Sequence, residues 1–149
     1  MFTTEFNMYH IDTKTPVMVK IEQDDEVMFV SVDGNYLGSM QENPDAEFGY
    51  ETDDEELKTY LESVSMHYRD NEAKHLLADL LMLKYGENLA SFQFTNEDVL
   101  ELIAHEDSDI EEFGNVIRGQ IYDDVTFESK LSVVISKDGD DYTFNFDIN

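Results

Sequence analysis

Four histidines are the first side chains to weigh for chemistry. Glu72-Ala73-Lys74-His75 is a Glu-x-x-His pair at helical spacing, the arrangement found in carboxylate di-iron centres. Those centres require two such pairs and two further glutamates on facing helices, and a single pair occurs here. His75 and Asp79 stand one helical turn apart, and Glu101 and His105 repeat the i,i+4 spacing. With 35 acids in 149 residues, such coincidences follow from composition. His10 and His67 have no carboxylate or histidine at ligand spacing. The histidines are therefore expected at the surface or satisfied within the fold.

Calcium is the next chemistry that an acidic chain invites. Asp107-Ser108-Asp109-Ile110-Glu111 begins like an EF-hand loop, but Glu112 occupies the glycine position and Arg118 the bidentate position. Asp138-Gly139-Asp140-Asp141 reads as a hairpin turn. Cysteine is absent, which removes disulfides, thiolate catalysis and cysteine-held zinc. No nucleophile elbow, phosphate loop, dinucleotide fingerprint or His-Glu-x-x-His occurs. Gly34 and Gly38 form no phosphate cradle. Nothing selects one pair of acids for glycosidase chemistry. The expectation is a protein without catalytic residues, metal or cofactor.

The elements that position these groups read as strands, helices, strands. Phe2, Phe6 and Met8 alternate in a first strand and Val17, Val19 and Ile21 in a second. A turn at residues 23–26, with Asp24-Asp25 as its two-residue loop, would set Ile21 opposite Met28, Val19 opposite Val30 and Val17 opposite Val32, all on one face. Asp33-Gly34-Asn35 is a hairpin signal leading to a fourth strand over 36–41. Thr52-Asp53-Asp54-Glu55 is a capping box before Leu57, Tyr60, Leu61, Val64 and Tyr68. A second helix over 72–85 stacks Leu76, Leu77, Leu80 and Leu81, with Gly86 as a left-handed cap. Thr95 to Asp98 would open a third helix carrying Val99, Leu102 and Ile103. Ser108 to Glu111 would open a fourth with Ile110, Phe113, Ile117 and Ile121. A closing hairpin would pair Ile135 with Tyr142, Val133 with Phe144 and Leu131 with Phe146 around Asp138-Gly139. The resulting expectation is one α+β domain over 1–149: an N-terminal antiparallel β-meander, central helices on one face and a C-terminal β-hairpin, its sheet of five or six strands.

Charge is the outstanding quantity. Nine Lys and Arg stand against the 35 acids, a formal net charge of -26. Residues 21–57 hold thirteen acids and no base, and residues 85–117 hold nine acids and no base. Such a chain repels free nucleic acid, whose binding needs cations to displace counterions, and it repels anionic membranes. Its complement is a basic protein. Lysine outnumbers arginine and alanine occurs only five times, a composition unlike that of salt-adapted proteins. The start, Met1-Phe2-Thr3-Thr4-Glu5, lacks the basic and apolar regions of a secretory signal. The longest apolar stretch, 76–83, is broken by Asp79 and falls far short of the ~20 residues that span a bilayer. A cytoplasmic location is expected.

Duplex DNA carries one charge per ~1.7 Å, so 26 charges match roughly 44 Å of duplex, close to the ~40 Å diameter of a domain this size. In charge, size and lack of catalytic motifs the chain resembles the broad class of small acidic inhibitors: DNA-mimicking anti-restriction and anti-CRISPR proteins and nuclease immunity proteins. The resemblance is one of character and covers no alignable segment. It implies a non-enzymatic interaction module that blocks a basic, nucleic-acid-binding protein. The alternative is a small accessory domain whose acidity serves solubility. For the interaction module, the expected contact residues are Asp24, Asp25 and Glu26 in the first acidic turn, Glu47, Phe48, Tyr50 and Glu51 in the loop after Pro44, and Asp53, Asp54 and Glu56 at the helix start. Phe48 and Tyr50 would serve either as aromatic anchors or as a cover for the sheet.

Overall fold

The computed structural model describes residues 2–10 and 12–149. They form an α+β protein divided into two compact units, Met1–Arg69 and Asp70–Asn149. Each unit has its own sheet and its own apolar core.

The first unit is an antiparallel meander of β1 (Phe2–Tyr9), β2 (Pro16–Asp24), β3 (Val27–Val32), β4 (Asn35–Glu42) and β5 (Tyr50–Glu51), paired in chain order. Period-two alternation turns Phe6, Met8, Val17, Val19, Ile21, Met28, Val30, Val32 and Met40 into one core. Leu57, Val64 and Tyr68 join it from the first half of a helix, α1 (Glu55–Lys84). The β2–β3 register differs from the sequence expectation: Ile21 pairs with Val30 and Val19 with Val32, because the loop is Asp25-Glu26. Alternation fixes which face a side chain takes but leaves register free by steps of two. The turn decides it, and here Asp25 adopts φ +55°. Asp33-Gly34 forms the expected loop, both residues at positive φ, as a type I′ turn requires.

The second unit takes the rest of α1, then β6 (Leu89–Asn96), β7 (Val99–Ala104), α2 (Ile110–Gln120), a 3-10 turn (Ile121–Asp124), β8 (Leu131–Lys137) and β9 (Phe144–Ile148). Its sheet runs β6-β7-β8-β9, with β7 and β8 parallel and the other pairs antiparallel. The terminal hairpin belongs to this sheet and not to the first, a point that the sequence left open. Leu100, Leu102, Leu131, Val133, Ile135, Ile117 and Ile148 form the core with Leu77, Ala78 and Leu81 of α1.

Four local expectations are corrected. Helices over 52–68 and 72–85 are one helix, since no glycine or proline falls between Gly49 and Gly86 to break it. Of its leucines, Leu77 and Leu81 are buried while Leu76 is exposed. Gly86 is absent from the positive-φ glycines, so the left-handed cap does not form. The segment from Thr95 is a hairpin: Asn96 pairs with Val99 and its Oδ1 accepts from Asp98 N at 2.8 Å. Val99, Leu102 and Ile103 fit helical spacing, but burial follows Leu100, Leu102 and Ala104, the period of a strand. In the last hairpin Ile135 pairs with Phe144 and Val133 with Phe146. Asp140 Oδ1 takes Tyr142 N at 3.0 Å and keeps Tyr142 in the loop.

Candidate functional site

Strand alternation has a second product besides the core. On the outer face of the first sheet, β2 presents Met18, Lys20, Glu22 and Asp24, β3 presents Val27, Phe29 and Ser31, and β4 contributes Tyr36 opposite Ser31. Phe29 and Tyr36 meet at 6.4 Å between ring centroids, their planes 41° apart. Glu22 stands directly across from Phe29, and Glu5 directly across from Lys20. Met18, Phe29 and Tyr36 are 40%, 37% and 58% exposed. Aromatic rings left to solvent in the middle of a sheet face, beside carboxylates, are the unusual feature of this unit.

Two of the residues expected at an interface fall on this same face. Asp24 pairs with Val27, Val27 with Gln41, and Gln41 with Glu51, so Asp24 and Glu51 end one row across four strands. At ~4.8 Å per strand that row is about 14 Å long. Asp25 and Glu26 form the exposed turn beside it. Asp53, Glu56 and Glu47 are also exposed.

The remaining three residues are used by the fold. Tyr50 is 8% exposed, edge-on to Tyr68 at 6.0 Å with the Arg69 guanidinium 5.2 Å from its ring centre. Phe48 is half-buried. Tyr50 belongs to the core that covers the sheet and is not an exposed anchor. Asp54 is half-buried: its carbonyl accepts the first helical bond from Lys58 N, and its carboxylate accepts from Ser39 N at 2.8 Å. Gly38, at φ +148°, leaves the space that the Asp54 side chain fills. The capping box does not form. Thr52 Oγ1 instead donates to Ser39 O and accepts from Asp54 N, while Glu55 pairs with Lys58 at 3.1 Å.

Few cations offset the acids. The first unit holds sixteen acids and four bases, the second nineteen and five. In the first unit the ion pairs are local, Lys20 with Glu22 and Lys58 with Glu55, both solvent-exposed. In the second, cations tie elements together. Lys74, 4% exposed, reaches Asp98 at 3.3 Å and Asp70 at 3.9 Å. Lys84 bonds Asp124, which holds the Lys84 ammonium above its ordinary pKa. Lys130 faces Asp147. A hydrogen bond from Ser132, then the charge of Lys130, holds the Asp147 carboxyl below its ordinary pKa against an opposing desolvation effect.

His10, His67 and His75 make structural side-chain contacts. His10 Nδ1 accepts from Asp12 N and Thr13 N, which leaves Nε2–H to donate to Tyr60 Oη at 2.8 Å. His67 and His75 donate from Nδ1 to the carbonyls of Ser63 and Asn71, and their rings stack on Phe6 and Phe94. An open cleft of about 450 Å³ lies among Asp107, Ser108, Asp109, Ile110, Glu111, Lys137, Asp140 and Tyr142. Its polar groups serve the backbone: Asp109 caps α2 through Glu112 N, and Lys137 donates to Glu106 O and Ser108 O. Among the described residues no three His, Asp or Glu are placed to hold a metal, and no helix is long and apolar enough to cross a membrane.

Comparison with family models, curated proteins and solved structures returns no match. The physical features of the surface therefore carry the functional argument. The sequence expectation missed Met18 and Phe29, which sit between core residues in the chain, and Tyr36, which follows the exposed turn at 33–35. For Met18 and Phe29 the signal is parity: in Val27-Met28-Phe29-Val30, buried Met28 and Val30 send Phe29 the other way. Tyr36 shares parity with buried Gly38 and Met40, and the register shift at Val30/Ser31 sets it opposite Ser31 on the outer face.

Proposed function

We propose that this chain is a non-enzymatic acidic interaction module that engages a basic protein in the cytoplasm. The partner is of the nucleic-acid-binding kind, and the carboxylates take the place of phosphates in its basic groove, as in small acidic inhibitors of restriction, CRISPR and toxic nucleases. One observation supports this role above others. The base-free stretch of 21–57 folds into turns and strand ends that leave Asp24, Asp25, Glu26, Glu47, Glu51, Asp53 and Glu56 in solvent, and the ion pairs of this unit compensate only Glu22 and Glu55 among the described residues. A field of that kind speeds encounter with a cationic surface and fades with salt.

The test reverses Asp24, Glu26 and Glu47 to Lys. It spares Asp54, which holds Ser39, and Asp25, which sits at positive φ. Wild-type protein should capture a basic nucleic-acid-binding protein at about 50 mM salt and lose it near 500 mM. Duplex DNA should displace it, and the triple variant should capture far less. Capture that survives both the reversal and excess duplex would contradict the role and leave acidity as a device for solubility.

A further inference from the structure

We propose that the outer face of the first sheet docks an arginine-rich segment of the basic partner, with guanidinium groups stacked on Phe29 and Tyr36 and paired with Glu22 and Asp24. This inference rests on the proposed role and names the partner's chemistry. Charge complementarity selects a cation, because among the described residues Glu5, Glu22, Asp24 and Glu51 share this face with Lys20 as its one base. The rings select which cation. A lysine ammonium is strongly hydrated and gains little on an open aromatic surface. A guanidinium is planar and weakly hydrated, and it can lie over a ring while its edge donates two hydrogen bonds to a carboxylate.

Glu22 supplies that carboxylate in direct cross-strand register with Phe29, and Asp24 lies on the diagonal from the same ring. The chain itself contains the proposed contact twice: its two arginines, Arg69 and Arg118, lie over Tyr50 and Phe144 at 5.2 and 5.4 Å. Lys20, at 3.1 Å from Glu22 and half-exposed, is the resident competitor that an incoming guanidinium displaces.

The experiment titrates the full chain with fluorescent nona-arginine and nona-lysine peptides at fixed salt. Nona-arginine should bind about tenfold more tightly, the ratio expected from a cation–π contribution of ordinary size. The pair Phe29→Ser and Tyr36→Ser changes no charge. It should bring nona-arginine down to the level of nona-lysine and leave nona-lysine within about twofold. Phe29→Leu with Tyr36→Leu, which keeps the apolar surface but removes the π faces, should do the same and guards against misfolding of the serine pair. Lys20→Gln should tighten nona-arginine binding about threefold by freeing Glu22. An arginine preference that survives loss of both rings would overturn the docking face and leave the acidic role standing. Failure of wild-type protein to bind either peptide at low salt would overturn the role itself.

Discussion

The two sheets spend their outer faces differently. On the second sheet, Gln93 Nε2 donates to Glu101 at 3.0 Å, Ser136 Oγ donates to the same carboxylate at 3.3 Å, and Ser132 Oγ donates to Asp147 at 2.7 Å. The acids of that face are engaged by their neighbours across the strands. On the first sheet, Glu22 and Asp24 stand beside Phe29, Tyr36 and Met18, and the one cation among them, Lys20, forms a solvent-exposed pair. Net charge is similar in the two units, so charge alone does not distinguish a working surface from a solvated one. Carboxylates set beside exposed rings distinguish it.

The largest predicted contrast separates the cations. Lys74→Ala should destabilise the protein by about 2–3 kcal/mol, because a buried stem and a tie between α1 and the β6–β7 turn are lost together. Lys20→Ala should cost less than about 0.5 kcal/mol, as exposed pairs do. Urea denaturation of both variants checks this, and equal losses would break the comparison.

Asp54→Ala should cost about 1–2 kcal/mol, since Ser39 N loses its acceptor at the helix start. Asp53→Ala, a neighbouring exposed acid, should be within about 0.5 kcal/mol of wild type. Thermal melts of the pair separate structural from surface acids. A large loss with Asp53 would show that the acid cluster holds the fold as a whole.

A smaller effect sharpens the account of the second sheet. Ser132→Ala should raise the Asp147 carboxyl toward its ordinary value, seen by NMR titration, because the hydrogen bond from Ser132 is the main cause of its depression. A depressed carboxylate contributes stability above its unfolded pKa and loses it as pH falls through the folded value, so the wild-type contribution disappears only in acid. Lys84 has the opposite sign. Its raised ammonium contributes below the ordinary lysine value of 10.5 and loses that contribution as pH climbs through the folded value. Asp124→Asn should remove the alkaline component.

Much of the fold was legible because burial imposes a period. The alternation of Val17, Val19 and Ile21 with Met28, Val30 and Val32 gave the correct core, and Asp33-Gly34 gave the correct turn. Register was not legible where the turn chemistry was ambiguous, as at Asp24-Asp25-Glu26 and after Gly139, since two frames bury the same side chains. The segment from Thr95 failed for a related reason. Short apolar runs fit both periods, and Thr, Asn and Asp serve caps and hairpin turns alike. At the candidate site, Asp24 and Glu51 were legible as exposed acids, but their shared row depends on pairing among four strands. For Tyr50 the sequence offered both an anchor and a cover for the sheet, and it could not choose because the ring's partners, Tyr68 and Arg69, are distant in sequence.

The most direct test is a backbone amide map of the full chain titrated with nona-arginine. Shifts should concentrate on Glu22, Asp24, Phe29 and Tyr36 across β2, β3 and β4, with β7 and β8 unmoved. Shifts spread evenly over the acids of both units, or centred on the cleft around Lys137, would contradict the claim that the first sheet's outer face is where this protein meets its partner.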